Sequence, residues 1–254
     1  MKIFLLLISF SLAVASSAQF PASVDSVYTF IKYNSIHRNK ADWNKTDKAF
    51  ANCISNAKTA NDTMNCLVAV LKELNDVHSH IFFNNQYYGH YIPVDDSTYK
   101  KIKPLLDRSA AETGKPAFAL LAKKFLYIRL PAIQAWGDDV NRYAQAIIDS
   151  ICRYSRNKPK GFIVDLRLNK GGNMYPMLSG ISPLLGNTIT GFETDIRDSV
   201  VRQWKLEGNN FYIGGYQVTA VKNSCGANYS ALPVAVLIGP VTGSSGSMTA
   251  IAFK

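Results

Sequence analysis

The sequence has few of the residues that metal and nucleotide chemistry require. It contains 4 histidines and 4 cysteines, and they lack the close Cys/His spacing that a zinc site needs. Neither a Gly-x-x-x-x-Gly-Lys-[Ser/Thr] segment nor a Gly-x-Gly-x-x-Gly fingerprint occurs, so the common phosphate-binding loops are missing. No residue cluster in the sequence therefore argues for a metal or an organic cofactor.

Acidic residues are also scarce. The chain has 18 Asp and Glu against 28 Lys and Arg, a formal net charge of +10. The basic residues are scattered and do not alternate with aromatic residues, as they would on a surface that stacks nucleic-acid bases. We therefore expect no nucleic-acid partner. A positive surface favours acidic substrates or a cell envelope.

Only one long apolar run is present, and it stands at the start of the chain. Lys2 precedes the apolar residues 3–14, and the small residues 15–18 follow, which is typical of a signal peptide over residues 1–18. The run is too short to span the ~30 Å of hydrocarbon in a bilayer, and no cysteine follows it that could carry a lipid. We expect an exported protein without stable membrane insertion, located in the periplasm, on the cell surface or outside the cell.

The cysteines fit an exported chain, in which disulfides form and persist. Cys53 and Cys66 are the favoured pair, because both lie in a compact helical segment and a polar turn separates them. Cys152 and Cys225 lie in different elements, and the sequence leaves open whether they are paired or free.

Hydrophobic periodicity divides the rest of the chain into three parts. Residues 19–83 predict a helical unit of three helices, with Ser23 capping the first and residues 61–63 forming the turn and cap of the third. Residues 84–117 are less periodic and predict a connecting region. In residues 118–254 strands alternate with helices, including one helix over 174–185, which indicates parallel pairing in an α/β core.

Three separate stretches carry groups that suit catalysis: Asn-Asp-Val-His-Ser-His at 75–80, Asp-Leu-Arg-Leu-Asn-Lys-Gly-Gly-Asn at 165–173, and Thr-Gly-Ser-Ser-Gly-Ser at 242–247. Each has a plainer interpretation. His78 and His80 could be loop histidines or a metal pair, the two glycines could form a simple turn, and Ser244 could cap a helix. Together the stretches supply the hydroxyl, the base for neutral pH and the backbone N–H donors that serine catalysis needs.

These stretches resemble the motifs of the C-terminal processing (tail-specific) serine peptidases, in the branch built like the core of the tricorn protease. That family has Asp-x-His-Ser after an N-terminal helical segment, as at 76–79, and Asp-Leu-Arg-x-Asn-x-Gly-Gly after a core strand, as at 165–172. Its nucleophile lies in a Thr-Ala-Ser-x-x-Glu turn. Residues 242–247 follow this pattern, with Gly243 in place of Ala and Ser247 in place of Glu.

The resemblance implies a role for each motif residue. Ser244 would be the nucleophile, with Ser245 as the competing choice, and His78 would be the base. The oxyanion would be bound by the Ser245 N–H and by the N–H of Gly171 or Gly172. An internal salt bridge between the motif's Asp and Arg, at 165 and 167, would anchor the turn.

The resemblance also implies an architecture and a substrate class. It predicts a crotonase/ClpP-like ββα core, preceded by a small N-terminal helical unit, that acts on a protein or peptide without a cofactor. In this family the residue that orients or replaces the base follows the nucleophile. We therefore expect the core to be incomplete at its C-terminus and that residue to lie beyond Lys254.

Two other functions remain as alternatives. A catalytically impaired or inactive peptide-binding or scaffold protein could use the same fold, and Ser247 in place of the motif's Glu favours it. A crotonase-like acyl-transforming enzyme also uses paired backbone N–H donors, but export and the Asp-x-His-Ser motif argue against it. Nothing in the sequence predicts an oligomeric state.

Overall fold

A computed structural model describes residues 22–92, 95–111 and 114–254, and the chain forms two compact units, Met1–Pro93 and Val94–Lys254. The signal peptide expected at residues 1–18 lies outside the described residues. Within the described ranges, no helix has both the length and the apolar character needed to cross a bilayer.

Over its described residues, the first unit contains three helices and a β-hairpin. Its elements are α1 (Ala22–Asn34), a 3₁₀ turn (Arg38–Lys40), α2 (Trp43–Asn56), α3 (Ala60–Glu73), β1 (His80–Phe83) and β2 (Gln86–Gly89). The three helices predicted from periodicity are present, but two of them begin earlier than expected. Ser23 lies inside α1, and α3 begins after its N-cap, Thr59. Thr59 and Asp62 form a capping box: the Thr59 hydroxyl accepts the N–H of Asp62, and the Asp62 carboxylate accepts the N–H of Thr59.

The apolar faces of these helices share one core. The rings of Tyr28 on α1 and Phe50 on α2 stack with centroids 4.0 Å apart, and Leu67 and Leu74 of the α3 segment are fully buried beside them. A disulfide between Cys53 and Cys66, the pair favoured by the sequence, joins α2 to α3. The first unit therefore has its own hydrophobic core and a covalent link between two of its helices.

The second unit combines two sheets with five helices over its described residues. Its elements are α4 (Asp96–Ala111), β3 (Ala117–Leu121), β4 (Phe125–Arg129), α5 (Asp139–Ser155), β5 (Gly161–Asp165), α6 (Met174–Gly180), α7 (Ser182–Leu185), β6 (Thr188–Thr194), β7 (Val200–Glu207), β8 (Asn210–Ile213), β9 (Tyr216–Gln217), β10 (Val234–Leu237) and α8 (Ser245–Ile251).

Two segments differ from the sequence prediction. The expected connecting region at 84–117 contains β2 and the 16-residue helix α4. Helix α4 buries one residue, the polar Ser109, and no apolar side chain. The single helix expected at 174–185 is two helices, since the chain breaks at Ile181 and Pro183 lies in the first turn of α7.

One sheet, with strand order β10-β5-β4-β3, positions the candidate site. β4, β5 and β10 run parallel, and Asp165 at the end of β5 is level with Arg129 of β4 and Leu237 of β10. The loops that follow these three strands therefore leave from the same edge of the sheet. In open α/β sheets this carboxyl edge is where ligands bind.

Helices α5 and α6 and the sheet share the main core of the second unit. Ile128 and Val164 of the strands and Ile147 and Met177 of the helices are fully buried there. A second disulfide, Cys152–Cys225, joins α5 to the loop before β10. The other sheet, β6-β7-β8-β9, is antiparallel. The predicted fold class, an α/β core preceded by a helical unit, is confirmed.

Candidate active site

Ser244 has a rare backbone conformation at the start of α8. Its φ of 49° and ψ of −123° lie outside the regions that residues with a Cβ normally adopt. It occupies the N-cap position of α8, yet its side chain makes no capping hydrogen bond, and the residue is exposed. Helix capping therefore does not explain this serine. Strained turns that expose a hydroxyl are typical of nucleophilic serines.

Ser245, the competing nucleophile, is in a different environment. It is only 9% exposed, and its hydroxyl donates a hydrogen bond to the carbonyl oxygen of Gly172. A proton already held by a backbone carbonyl is not free to pass to a base. The geometry thus favours Ser244 as the nucleophile of the pair.

The Gly171–Gly172 pair packs closely against its neighbours. Gly171 has a φ of 121°, and a Cβ added to it would lie 2.8 Å from Ser244 Cβ and 3.3 Å from Ser244 Oγ. Gly172 has a φ of 108°, and an added Cβ would lie 2.3 Å from the carbonyl oxygen of Ile133. Both positions need glycine, because φ is positive and because the Cβ of any other residue would clash with neighbouring atoms.

The backbone N–H groups differ in their availability. The Gly171 N–H, one of the two expected alternatives for the second oxyanion donor, donates to Asn169 Oδ1 over 2.9 Å and is therefore already engaged within the loop. For Gly172 and Ser245, no acceptor among the described residues takes the backbone N–H. These two N–H groups remain as candidate oxyanion donors.

One backbone carbonyl and one side-chain hydroxyl hold the serine turn against the loop that carries the glycines. The carbonyl oxygen of Asn169, a fully buried residue, accepts the Gly243 N–H over 3.0 Å. Thr242 Oγ1 donates to the carbonyl oxygen of Leu166 over 2.7 Å and accepts the Gly239 N–H over 2.9 Å. Neither residue was assigned a role from the sequence, although both occupy fixed positions of the two motifs.

The salt bridge expected between Asp165 and Arg167 is present. Arg167 donates to both carboxylate oxygens over 3.0 and 2.7 Å, and Tyr127 donates its hydroxyl to the same carboxylate over 2.6 Å. Burial tends to raise the pKa of Asp165, but the hydrogen bonds from Arg167 and Tyr127 outweigh it and lower that pKa. The bridge fixes the start of the loop that carries the glycines.

His78 lies in the first unit, on the loop between α3 and β1, and its side chain is exposed. The buried carboxylate of Asp76 shapes this loop by accepting the N–H groups of His78 and Ser79 over 3.0 and 2.9 Å and the Ser79 hydroxyl over 2.7 Å. Burial tends to raise the pKa of Asp76, but these hydrogen bonds outweigh it and lower the pKa. Asp76 therefore positions the backbone of His78 and does not hold its imidazole.

The other histidine of this segment, His80, begins β1 and packs near the rings of Tyr87 and Tyr91. His78 and His80 also line a groove of about 500 Å³ within the first unit. Over the described part of the chain, no group of three or more His, Cys, Asp or Glu residues is placed to hold a metal ion.

The second unit thus brings Ser244, Ser245, Gly171 and Gly172 together beyond the carboxyl ends of the parallel strands β4, β5 and β10. Hydrolases with a serine nucleophile and a backbone oxyanion hole combine the same kinds of group. Residues 124–254 match peptidase family S41. The chain belongs to this family.

The chain is also similar to an individual protein of known name. The chain is 29% identical to the nisin-resistance protein of Lactococcus lactis subsp. lactis over 213 residues, which cover 84% of this chain and 59% of that protein. This chain therefore spans less than two thirds of the length of that relative.

Two solved structures show the same fold. A lipoprotein from Streptococcus agalactiae superposes with a TM-score of 0.61 at 18% identity, over 100% of this chain and 75% of its own. A candidate peptidase from Parabacteroides merdae ATCC 43184 gives a TM-score of 0.55 at 15% identity, over 90% of this chain and 70% of its own.

Proposed function

We propose that this protein is an exported serine peptidase that hydrolyses peptide bonds with Ser244 as nucleophile and His78 as general base. Membership of peptidase family S41 supports the reaction class. The observation that carries the assignment of the nucleophile is the strained backbone of Ser244, which exposes an uncapped hydroxyl beside Gly171. Strain of this kind persists only where the surrounding structure holds it, and it is concentrated at active sites.

The residues take the following roles in the proposed reaction. Ser244 Oγ attacks the carbonyl carbon of the substrate while its proton passes to His78. The carbonyl oxygen gains the negative charge, which the N–H groups of Ser245 and Gly172 stabilise. The C–N bond then breaks, and the amine leaves with the proton from His78. Water, deprotonated by His78, hydrolyses the resulting ester and regenerates the serine.

The names of the relatives support a location and a first substrate to test. One solved structure is of a lipoprotein, and the curated relative is a nisin-resistance protein. Both fit a protein of the cell envelope that acts on peptides outside the cytoplasm. Nisin is accordingly one of the peptides to be tried beside general peptide substrates.

A fluorophosphonate probe, which reacts with activated serines, tests the nucleophile directly. We expect the wild type and Ser245→Ala to be labelled and Ser244→Ala to remain unlabelled. His78→Ala should reduce the labelling rate by at least ~100-fold, in the range of general-base catalysis, while His80→Ala, its matched control, should not. Loss of labelling in Ser245→Ala with retention in Ser244→Ala would overturn the assignment.

Peptide binding without hydrolysis is the second candidate function. One observation favours it: Ser247 stands where the motif has Glu. If the wild type binds peptides but no serine reacts with the probe and no peptide is cleaved, the binding function holds and the peptidase proposal fails.

A further inference from the structure

An exposed strip of chain follows β4, beside the candidate oxyanion donor Gly172. From Ile133 to Trp136 the side chains alternate: Ile133 and Ala135 are 0% exposed, whereas Gln134 is exposed and Trp136 is 70% exposed. A period of two is the pattern of extended chain, in which every second side chain points to the same face. Gln134 and Trp136 therefore share the outward face of this strip.

The strip is held to the glycine loop by backbone and side-chain contacts. Ile133 and Gly172 form a parallel β-bridge. Asn173 donates its N–H to the Ile133 carbonyl oxygen over 2.7 Å and its side-chain Nδ2 to the Ala135 carbonyl oxygen over 2.9 Å. The position of the strip is thus fixed relative to the backbone that carries the Gly172 N–H.

A short distance places Gln134 next to the candidate site, and the spacing of extended chain places Trp136 near it. Gln134 Nε2 lies 3.1 Å from the point where a Cβ on Gly172 would stand. Trp136 is two residues further along, a spacing of about 7 Å in extended chain. An extended peptide whose carbonyl oxygen reached the Gly172 N–H would repeat its own side chains at the same interval of about 7 Å.

We infer that residues 134–136 form a substrate-binding strip, on which the Gln134 amide contacts the peptide backbone and Trp136 contacts a large apolar or aromatic side chain of the substrate. This inference rests on the proposed function, because it assumes that the carbonyl oxygen of the substrate reaches the Gly172 N–H and so sets how the peptide lies along the strip. An indole buries a large apolar area at a low cost in side-chain entropy, and it pairs well with aromatic rings. The strip would therefore select among peptides by one side chain.

Binding can be measured apart from cleavage in the Ser244→Ala variant. The probes are fluorescein-labelled decapeptides of Ser and Gly in which one position at a time is Ala, Leu or Phe. At one position, we expect peptides with Leu or Phe to bind about tenfold more tightly than the peptide with Ala, because the larger apolar side chain is buried on binding. Adding Trp136→Ala should remove this preference, whereas Trp136→Phe should retain part of it.

Two further variants separate the roles within the strip. Adding Gln134→Ala should weaken the binding of all the peptides by a similar factor of about 3 to 10, which corresponds to the loss of one hydrogen bond. The preference for Leu and Phe should not change. Tyr216→Ala is the matched control, because Tyr216 is an aromatic residue of the same unit that is 81% exposed on β9. It should alter neither the affinity nor the preference.

The outcomes distinguish this inference from the proposed function. If the fluorophosphonate labels Ser244 but no peptide shows a preference that depends on Trp136, the strip is not a selecting surface and the inference fails. If no serine is labelled and the Trp136-dependent preference persists, the peptidase proposal fails and the strip stands as a peptide-binding surface. Failure of every peptide to bind would overturn the inference as well.

Discussion

The backbone of Gly171 packs directly against the side chain of Ser244: a Cβ added to Gly171 would lie 2.8 Å from Ser244 Cβ. Gly171→Ala must therefore displace the serine turn, and its φ of 121° is in addition unfavourable for alanine. We expect about 100-fold slower labelling of Ser244 by a fluorophosphonate, since a displacement of about 1 Å at a reacting group can have that effect.

The control for this substitution is Gly215→Ala, at another positive φ, 89°, with no atom within 4 Å of the added Cβ. It should lower the stability without slowing the labelling. Equal labelling rates for Gly171→Ala and the wild type would show that the contact between Gly171 and Ser244 does not position the nucleophile.

Thr242 connects the serine turn to the end of β5 through its hydroxyl, which donates to the Leu166 carbonyl oxygen and accepts the Gly239 N–H. Thr242→Val keeps the shape of the side chain but leaves both backbone groups without this partner. We expect the free energy of unfolding to fall by about 1–3 kcal/mol, measured by urea denaturation, and the labelling of Ser244 to slow. Thr242→Ser should restore both, and if it does not, the hydroxyl is not the group that matters.

Most elements of the fold were predictable because their residues alternate between core and solvent with a clear period. The α5 face formed by Val140, Ala144, Ile147 and Ile151 is buried throughout, and the sequence shows its helical spacing directly. Strand β5 could be recognised in the same way, because it is short, apolar and followed by polar motif residues.

Other features depend on contacts that leave no periodic signal. The one buried residue of helix α4, Ser109, is polar, and its hydroxyl donates to the carbonyl oxygen of Leu168, 59 residues away in the sequence. Likewise, the motif marks Gly171 and Gly172 as equivalent donors. Only the fold shows that the Gly171 N–H donates to the Asn169 side chain, whereas the Gly172 N–H remains available as a donor.

Asp76 shapes the loop that carries His78, and its removal should impair the proposed base without unfolding the first unit. Asp76→Ala deletes the acceptor of three hydrogen bonds, from the His78 N–H and from the N–H and hydroxyl of Ser79. We expect labelling of Ser244 to slow by about 10- to 100-fold, approaching the effect of His78→Ala. Ser79→Ala removes one of the three bonds and should have a smaller effect.

Asp95→Ala is a closely matched control for Asp76→Ala. The Asp95 carboxylate also accepts three hydrogen bonds, from the N–H and hydroxyl of Ser97 and from the N–H of Thr98, but it lies at the start of α4. Its loss should leave the labelling rate unchanged. If both variants slow the labelling equally, the effect of Asp76 is a general loss of stability and not the positioning of His78.

The carboxylate of Asp165 makes the stability of the second unit depend on pH in a direction that follows from its lowered pKa. The folded state binds this proton less readily than the unfolded state, whose carboxyl titrates at about pH 3.9. Its contribution is therefore fully present above about pH 4 and is lost as the pH falls further, towards the pKa of the folded state. Asp165→Asn should lower the free energy of unfolding by about 2 kcal/mol at pH 7, and the difference from the wild type should shrink at pH 3.

Urea denaturation at pH 7, 5, 4 and 3 measures this difference. The control is Asp139→Asn, in the exposed pair of Asp139 with Arg142, which should change the free energy of unfolding little at any pH. A difference for Asp165→Asn that is as large at pH 3 as at pH 7 would show that it comes from lost packing and not from the ionised carboxylate that Arg167 and Tyr127 hold.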